Sequence, residues 1–239
     1  MPENKQYWLK IDLLSDTTLG RGDGVAGVVD AEVQHDAYGL PYLSGKTLKG
    51  LLAATCAELL AALEVALPGQ IATWQQSAQQ LFGAPGSLAE QMGGLHVGDA
   101  QLPSSLQQAV AYDIANGRWQ REEVLASLTT LRRQTAMDAK TGAPRDETLR
   151  TVRVILRDTS FVAQLDFVDE APSSNTLALL AACAKVLRRA GTDRNRGRGR
   201  IRVQLFDQDP FTHPAAAAIT TSAFAPLATL LAPATEEGS

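Results

Sequence analysis

Alternation of apolar and polar residues marks several short segments of this 239-residue chain. Over residues 7–14, the apolar side chains of Leu9, Ile11 and Leu13 fall on one face. A period of two predicts a half-buried β-strand, because successive side chains of a strand point to opposite faces. Similar runs recur along the chain and predict further strands at residues 93–100, 152–156, 161–167 and 201–206.

Helical periodicity fills the stretches between these strands. Apolar residues that recur every three or four positions predict helices at residues 45–66, 71–82, 104–133 and 174–190, the third of them in two pieces. The first helix stops before Pro68 and Gly69. The last begins at Ser174 or Asn175, either of which can cap a helix, and Gly191 ends it.

The order of these elements predicts an α+β fold. Strand, helix, strand, strand, helix and strand follow one another in a ferredoxin-like, RRM-like β-α-β-β-α-β core. We predict one domain over residues 1–209, with residues 68–150 as a large central insertion that ends in a projecting hairpin at 137–148, and an alanine- and proline-rich tail over 210–239. Sheets of this type commonly bind RNA, although a fold alone does not establish a function.

Composition limits the class of protein. Apolar residues make up 45% of the chain, enough for a full core, and the formal net charge is -4. Since no run is long enough to span a bilayer and the start lacks an apolar leader, we expect a cytoplasmic protein without a membrane partner. Cys56 and Cys183 are expected to be buried thiols, and the three histidines show no metal-ligand spacing.

A cluster of arginines departs from this acidic background. Seven arginines lie between residues 188 and 202, against one acid, Asp193. The richest part is residues 195–200 (NRGRGR), called here the Gly-Arg loop. Glycine allows positive φ and close approach of a ligand, and guanidinium groups bind phosphate, so the loop predicts a polyanion site. A solvated arginine-rich turn is the alternative, but such a turn would not need the interleaved glycines.

A second candidate site lies at the start of the first helix. Gly45, Lys46 and Thr47 suggest a nucleotide-binding P-loop, but the first glycine of that motif would have to stand at position 40, which is leucine. We therefore reject triphosphate hydrolysis. The helix amino terminus together with Lys46 and Lys49 could bind a backbone phosphate. An ordinary capped helix with two solvated lysines is the alternative.

These motifs together resemble a known family. Residues 41–51 (PYLSGKTLKGL), the Leu-Phe-Gly at 81–83, residues 94–100 (GLHVGDA) and the Gly-Arg loop occur in the order found in the RAMP superfamily of CRISPR proteins. Within it, residues 29–36 (VDAEVQHD) and 137–143 (MDAKTGA) resemble the backbone subunit of type III effector complexes, the latter leading there into a thumb-like hairpin.

The resemblance implies a set of RNA-binding residues and a catalytic one. It implies a subunit that polymerises along a CRISPR guide RNA, and the residues that would bind it are Ser44, Lys46, Thr47, Lys49, Arg194, Arg196, Gly197, Arg198, Gly199 and Arg200. It also places Asp30 where relatives hold a divalent metal, Mg²⁺ or Mn²⁺, for target RNA cleavage. We expect the Gly-Arg loop to hold RNA at one end of the core and Asp30 to act at the other.

Three functions remain open at this point. The first is an RNA-guided RNA endonuclease subunit, whose partners are guide RNA, complementary target RNA, other effector subunits and copies or paralogues of itself. The second is a non-catalytic RNA-binding subunit of the same complex. The third is a precursor-processing ribonuclease that uses His35 for acid-base work. Asp23 lies in the same loop as Asp30, and Asp36 is expected to order the turn before Pro41.

Overall fold

A computed structural model describes residues 6–20, 22, 24, 29–83, 93–135, 150–168, 171–192 and 197–231. Within these ranges the chain forms six strands and six helices. The strands are β1 Tyr7–Leu13, β2 Leu95–Val97, β3 Thr129–Gln134, β4 Arg150–Ile155, β5 Ser160–Phe167 and β6 Ile201–Phe206. The helices are α1 Gly45–Ala66, α2 Ile71–Phe82, α3 Ser104–Ala115, α4 Arg121–Leu128, α5 Ser174–Val186 and α6 Thr220–Leu231.

Four strands form the central sheet in the order β2-β5-β1-β6, with every neighbouring pair antiparallel. Along the chain the core elements run β1, α1, β2, β5, α5 and β6. This order and pairing are those of a ferredoxin-like sheet, so the predicted α+β fold is confirmed.

The apolar face of the sheet carries the helices. Leu9, Ile11 and Leu13 of β1 are almost fully buried, as their alternation predicts, and they share one core with side chains of α1, α2 and α5. Each such side chain contributes about 1.5–3 kcal/mol on burial. Cys56 of α1 and Cys183 of α5 are buried free thiols, as predicted.

The opposite face of the sheet is polar and half-exposed. Near the carboxyl end of β1 on this face, Asp12 accepts hydrogen bonds from Ser160 Oγ at 2.6 Å and Arg202 Nη2 at 3.0 Å. Burial alone would raise the pKa of Asp12, but these hydrogen bonds and nearby Lys10 outweigh burial and hold the pKa below its usual value. Asp12 therefore links β1 to both of its neighbouring strands.

A separate two-stranded ribbon forms from β3 and β4. Residues 129–133 were predicted to be helical, and this prediction is wrong: Thr129 and Thr130 are β-branched and pair with Ile155 and Val154 across the ribbon. The predicted strands at 152–156 and 161–167 exist, but they belong to different sheets. The tip of the predicted hairpin, residues 137–148, lies outside the described residues.

Both ends of α5 differ from the prediction. Ser173, rather than Ser174 or Asn175, caps α5, since its Oγ accepts a hydrogen bond from the amide of Thr176 at 3.1 Å. The helix ends at Val186 rather than 190, because the next residues pair with the chain before β6.

Beyond the sheet, α6 packs against α5 and buries Leu227. None of the helices in the described ranges is long and apolar enough to cross a membrane.

Candidate nucleic-acid interface

The Gly-Arg loop is closed by a short antiparallel stem. The amide of Ala190 donates to the carbonyl of Gly199 at 2.9 Å, and the amide of Ile201 donates to the carbonyl of Arg188 at 3.0 Å. The chain after α5 therefore pairs with the chain just before β6, and the loop projects from that pair.

Three glycines allow the turn. Gly191, Gly197 and Gly199 have φ values of 84°, 78° and 72°, in the left-handed region where other residues are strained. The positive φ expected at Gly197 and Gly199 is present. Gly191 also permits close packing, since a β-carbon there would lie 2.3 Å from the carbonyl oxygen of Thr18.

The segment after β1, residues 14–18, fixes this loop in place. The amide of Arg200 donates to Ser15 Oγ at 3.0 Å, and the amide of Thr192 donates to the carbonyl of Thr18 at 3.1 Å. The Gly-Arg loop therefore lies at the carboxyl end of β1.

The arginines of the loop differ in exposure. Arg200 is exposed and Arg198 is half-buried. Arg194 and Arg196 lie outside the described residues. Two of the four arginines predicted to bind RNA are thus placed at the carboxyl end of β1, where hydrogen bonds to residues 15–18 hold the backbone of the loop.

The carboxylate of Asp99 lies against the start of α1, a contact that sequence analysis missed. Ser44 caps the helix, with its Oγ 3.4 Å from the amide of Thr47 and 2.8 Å from the hydroxyl of Thr47. The amide of Gly45 donates to Oδ1 of Asp99 at 2.7 Å. A carboxylate at a helix start satisfies the amide that was expected to face a phosphate. Asp99 lies 54 residues away in sequence, so local patterns could not reveal it.

The two lysines of α1 have different surroundings. Lys49 Nζ donates to the carbonyl of Leu95 at 2.6 Å, and burial lowers the pKa of Lys49. Lys46 is exposed. Lys49 therefore ties α1 to β2, and Lys46 is the better placed of the two to meet a phosphate.

The candidate phosphate sites lie at opposite edges of the central sheet. The start of α1 contacts β2, whereas the Gly-Arg loop leads into β6, and β5 and β1 lie between them. Three strand spacings separate these edges by about 14 Å. An RNA that contacts both sites must use different phosphates for each.

Asp30 is held against the β3–β4 ribbon. Its amide donates to the carbonyl of Thr151 at 2.8 Å, and its Oδ2 accepts the amide of Thr151 at 2.6 Å. The next residue, Ala31, pairs with Val152 in parallel. The carboxylate is exposed, so the backbone fixes its position while solvent can reach it.

Asp30 and the Gly-Arg loop were expected at opposite ends of the core, and this expectation is wrong. Gly20 lies between residues that flank these two sites: a β-carbon on it would be 3.8 Å from Cγ2 of Thr192, before the Gly-Arg loop, and 3.9 Å from the carbonyl oxygen of Glu32, after Asp30. Both segments therefore pack at the carboxyl end of β1. The long connection after β1 folds back on itself, which its polar sequence did not indicate.

A buried ion pair lies beneath Asp30. Glu32 is 4% exposed, and its Oε1 is 2.8 Å from Nε of Arg153 on β4. The same carboxylate oxygen accepts the amide of Val33 at 2.9 Å. Sequence analysis assigned Glu32 no role, because an exposed glutamate and a buried one look alike in a loop sequence.

Asp16 joins the loop to the ribbon. Its Oδ2 accepts a hydrogen bond from Arg132 Nη2 at 2.7 Å, and its Oδ1 accepts the amide of Arg157 at 3.2 Å. Its carbonyl accepts the amide of Gly199 at 3.3 Å. One residue therefore contacts the Gly-Arg loop, β3 and the turn after β4.

The other candidates of this loop are Asp36, His35 and Asp23. Asp36 Oδ1 accepts the amides of Tyr38 and Leu40, both at 2.9 Å, so it orders the turn before Pro41 as expected. His35 is half-buried with Nδ1 3.0 Å from the carbonyl oxygen of Asp36. Asp23 lies outside the described residues.

A divalent cation fits Asp30 only in part. Among the described residues, no group of three or more histidine, cysteine or acidic side chains could hold a metal. Magnesium is often bound through one or two carboxylates together with water and substrate phosphates. The exposed carboxylate of Asp30 suits that mode, in which the RNA itself would complete the ligand set.

Comparisons with known proteins agree with this architecture. A chain in the cryo-EM structure of type III-B Cmr-beta bound to cognate target RNA superposes with a TM-score of 0.56 at 13% identity, covering 84% of this chain and 96% of that chain. A chain of the apo state of Cmr-beta gives a TM-score of 0.58 at the same identity and coverage. At such identity the likeness shows a shared fold. The comparison with curated proteins finds no match.

A match to a family model shows which family the chain belongs to. The model of the RAMP superfamily matches residues 10–202, from the middle of β1 to the start of β6, and so includes both candidate phosphate sites and Asp30. The chain belongs to the RAMP superfamily.

Proposed function

We propose that this chain is a subunit of a type III CRISPR effector complex that binds guide RNA and cleaves complementary target RNA. The observation that carries the proposal is the placement of the Gly-Arg loop and Asp30 at one end of the sheet in a RAMP protein. The similar chain of Cmr-beta comes from a complex bound to cognate target RNA, which supports RNA and other effector subunits as partners.

The Gly-Arg loop and Lys46 would bind the backbone of the guide RNA. Arg200 and Lys46 are exposed cations that can contact phosphate without reading bases. Binding through them is therefore expected to be independent of guide sequence and to weaken with salt. Target choice would come from base pairing with the guide.

Asp30 would act on the target strand. When bound beside Asp30, Mg²⁺ or Mn²⁺ supplies positive charge that offsets the charge developing at the scissile phosphate. The 2′-oxygen of the target forms a bond to phosphorus and loses its proton, while the bond from phosphorus to the 5′-oxygen breaks and that oxygen gains a proton. The products are a 2′,3′-cyclic phosphate and a free 5′-hydroxyl. Asp30 would supply a carboxylate whose position on the ribbon is fixed by the hydrogen bond from the amide of Thr151.

The test is target cleavage by the assembled complex in magnesium. We expect Asp30→Asn to lower the cleavage rate by about 100-fold or more, since the loss of a cation ligand removes several kcal/mol from transition-state stabilisation. Chelation by EDTA should have the same effect. Asp158→Asn is the matched control, because Asp158 is an aspartate whose side chain is 86% exposed on the turn between β4 and β5.

A non-catalytic subunit is the second candidate, and it is favoured by the absence, among the described residues, of a group of three or more side chains that could hold a metal. It predicts that wild-type complex binds target RNA but releases no cyclic-phosphate product, and that outcome would overturn cleavage by Asp30. Metal-independent cleavage of precursor RNA by the isolated chain, lost in His35→Ala, would instead support a processing ribonuclease.

A further inference from the structure

The outer edge of β6 contains a gap in its pairing. Before β6, Arg189 pairs with Arg200; after it, Ala218 pairs with Phe206. Between these two contacts the strand edge borders a cavity of about 360 Å³. That volume lies in the range of small-ligand pockets, about 300–1,000 Å³.

Four cations line this cavity. They are Lys185 at the end of α5, Arg188 in the loop stem, Arg200 in the Gly-Arg loop and Arg202 on β6. All four are exposed, and no acidic residue lines the cavity among the described residues. Arg202 is paired with Asp12. Within the described ranges, no acidic residue forms an ion pair with the other three cations. Such a concentration stands out in a chain whose net charge is -4.

The rest of the lining is suited to a sugar or base. Leu14, Leu187, Ile201 and Val203 form apolar walls. Thr220 and Thr221 also border the cavity and begin α6, whose first turn presents amides and the positive end of the helix dipole. A nucleotide has both an apolar base or sugar for such walls and a phosphate for the cations. An acidic side chain of a protein would match only the cations.

We propose that this cavity, the β6-edge cavity, binds a nucleotide of the RNA chain that crosses the Gly-Arg loop. Arg188 and Lys185 contact its phosphate, and Arg200 belongs to both the loop and the cavity, so one backbone runs from the first to the second. The inference rests on the proposed function, since it assigns further RNA contacts to the same interface. Of these three residues, only Arg200 was predicted from sequence to bind RNA.

The test measures binding of a short, fluorescein-labelled, single-stranded RNA of mixed sequence by the full chain at several salt concentrations. We expect Arg188→Ala to weaken binding about tenfold, as loss of one charged contact does. The slope of log affinity against log salt should fall by about 0.7, the value for one phosphate of a single strand. Arg188→Lys should retain most of the affinity.

Two further variants separate the outcomes. Arg121→Ala removes an exposed arginine of α4, outside the cavity, and should leave affinity and slope unchanged. Lys46→Ala reports on RNA binding at the opposite edge of the sheet. If Lys46→Ala weakens binding but Arg188→Ala does not, the β6-edge cavity is not an RNA site and the proposed function stands. If wild-type chain fails to bind RNA, the proposed function itself fails.

An acidic protein segment is the competing occupant. A fluorescein-labelled polyglutamate peptide, titrated in place of RNA, tests it directly. Peptide binding that is lost in Arg188→Ala, while RNA binding is retained, would overturn the proposal and assign the cavity to a protein partner.

Discussion

Single charged residues decide how the loops of this protein are held. Glu32 and Arg153 form an ion pair under Asp30, and both are largely shielded from solvent, with 5% and 17% of their side chains exposed. Arg153 Nη1 also donates to Thr129 Oγ1 at 3.2 Å. Removal of one member of a buried pair leaves an uncompensated charge, which costs far more than loss of a surface pair.

Arg153→Met is therefore expected to lower the free energy of unfolding by about 3 kcal/mol. Urea denaturation of the full chain measures this. Arg157→Met is the control, because the side chain of Arg157 is 74% exposed and lies 3.7 Å from the exposed Asp158. That variant should stay within about 0.5 kcal/mol of wild type.

The second substitution Glu32→Gln, added to Arg153→Met, should recover part of the lost stability because a neutral amide is easier to bury than a carboxylate. Equal destabilisation by Arg153→Met and Arg157→Met would show that the Glu32 pair contributes nothing beyond a surface contact.

Among the elements, α1 shows what its sequence could and could not predict. Its bounds, Gly45–Ala66, agree with the alanine- and leucine-rich run and the Pro68 stop. Its two glycines, however, have opposite surroundings. A β-carbon at Gly45 would lie 2.0 Å from the carbonyl oxygen of Val97, whereas one at Gly50 meets nothing within 4 Å.

Gly45→Ala should destabilise the protein by about 1–3 kcal/mol, because α1 and β2 must separate to admit the methyl group. Gly50→Ala should stabilise it by about 0.5–1 kcal/mol, because alanine loses less backbone entropy than glycine in a helix. Thermal or urea unfolding of the two variants gives the comparison. A neutral Gly45→Ala would contradict the packing of α1 on β2, and a destabilised Gly50→Ala would contradict the open surroundings of Gly50.

The difference between local patterns and contacts distant in sequence explains how much of the fold and of the site could be predicted. The predicted bounds of α1, α2, β1 and β6 agree with the structure nearly to the residue, because local side-chain patterns report burial. The helix α6, in contrast, lies in the stretch that was predicted as a tail. Residues 129–133 were predicted wrongly because the pairing partner, β4, lies beyond a long connection. The roles of Asp16, Glu32 and Asp99 escaped for the same reason: each contacts a residue distant in the chain.

On the scale of the whole molecule, the candidate RNA contacts are distributed rather than gathered. Lys46 lies at the β2 edge and Arg200 at the β6 edge of the central sheet. Since three strand spacings, about 14 Å, separate these two edges, the contributions of the two side chains to RNA affinity should be independent.

The double variant Lys46→Ala/Arg200→Ala is expected to lose a binding free energy equal to the sum of the single losses, within about 0.5 kcal/mol. Anisotropy titrations of a labelled single-stranded RNA long enough to reach both edges measure the three variants. A larger deviation from additivity would mean that the two side chains bind one shared phosphate.

The short segment after β1 has a consequence for communication across the protein. Thr17 and Ile155 exchange amide and carbonyl hydrogen bonds at 3.0 and 2.8 Å, while the neighbouring Asp16 and Thr18 accept hydrogen bonds from the Gly-Arg loop and its flank. Because these hydrogen bonds join the loop to the ribbon that holds Asp30, we expect a ligand that shifts the loop to shift the ribbon as well. By thermodynamic linkage the effect is reciprocal, so binding of the target strand should change the affinity of the protein for the guide RNA.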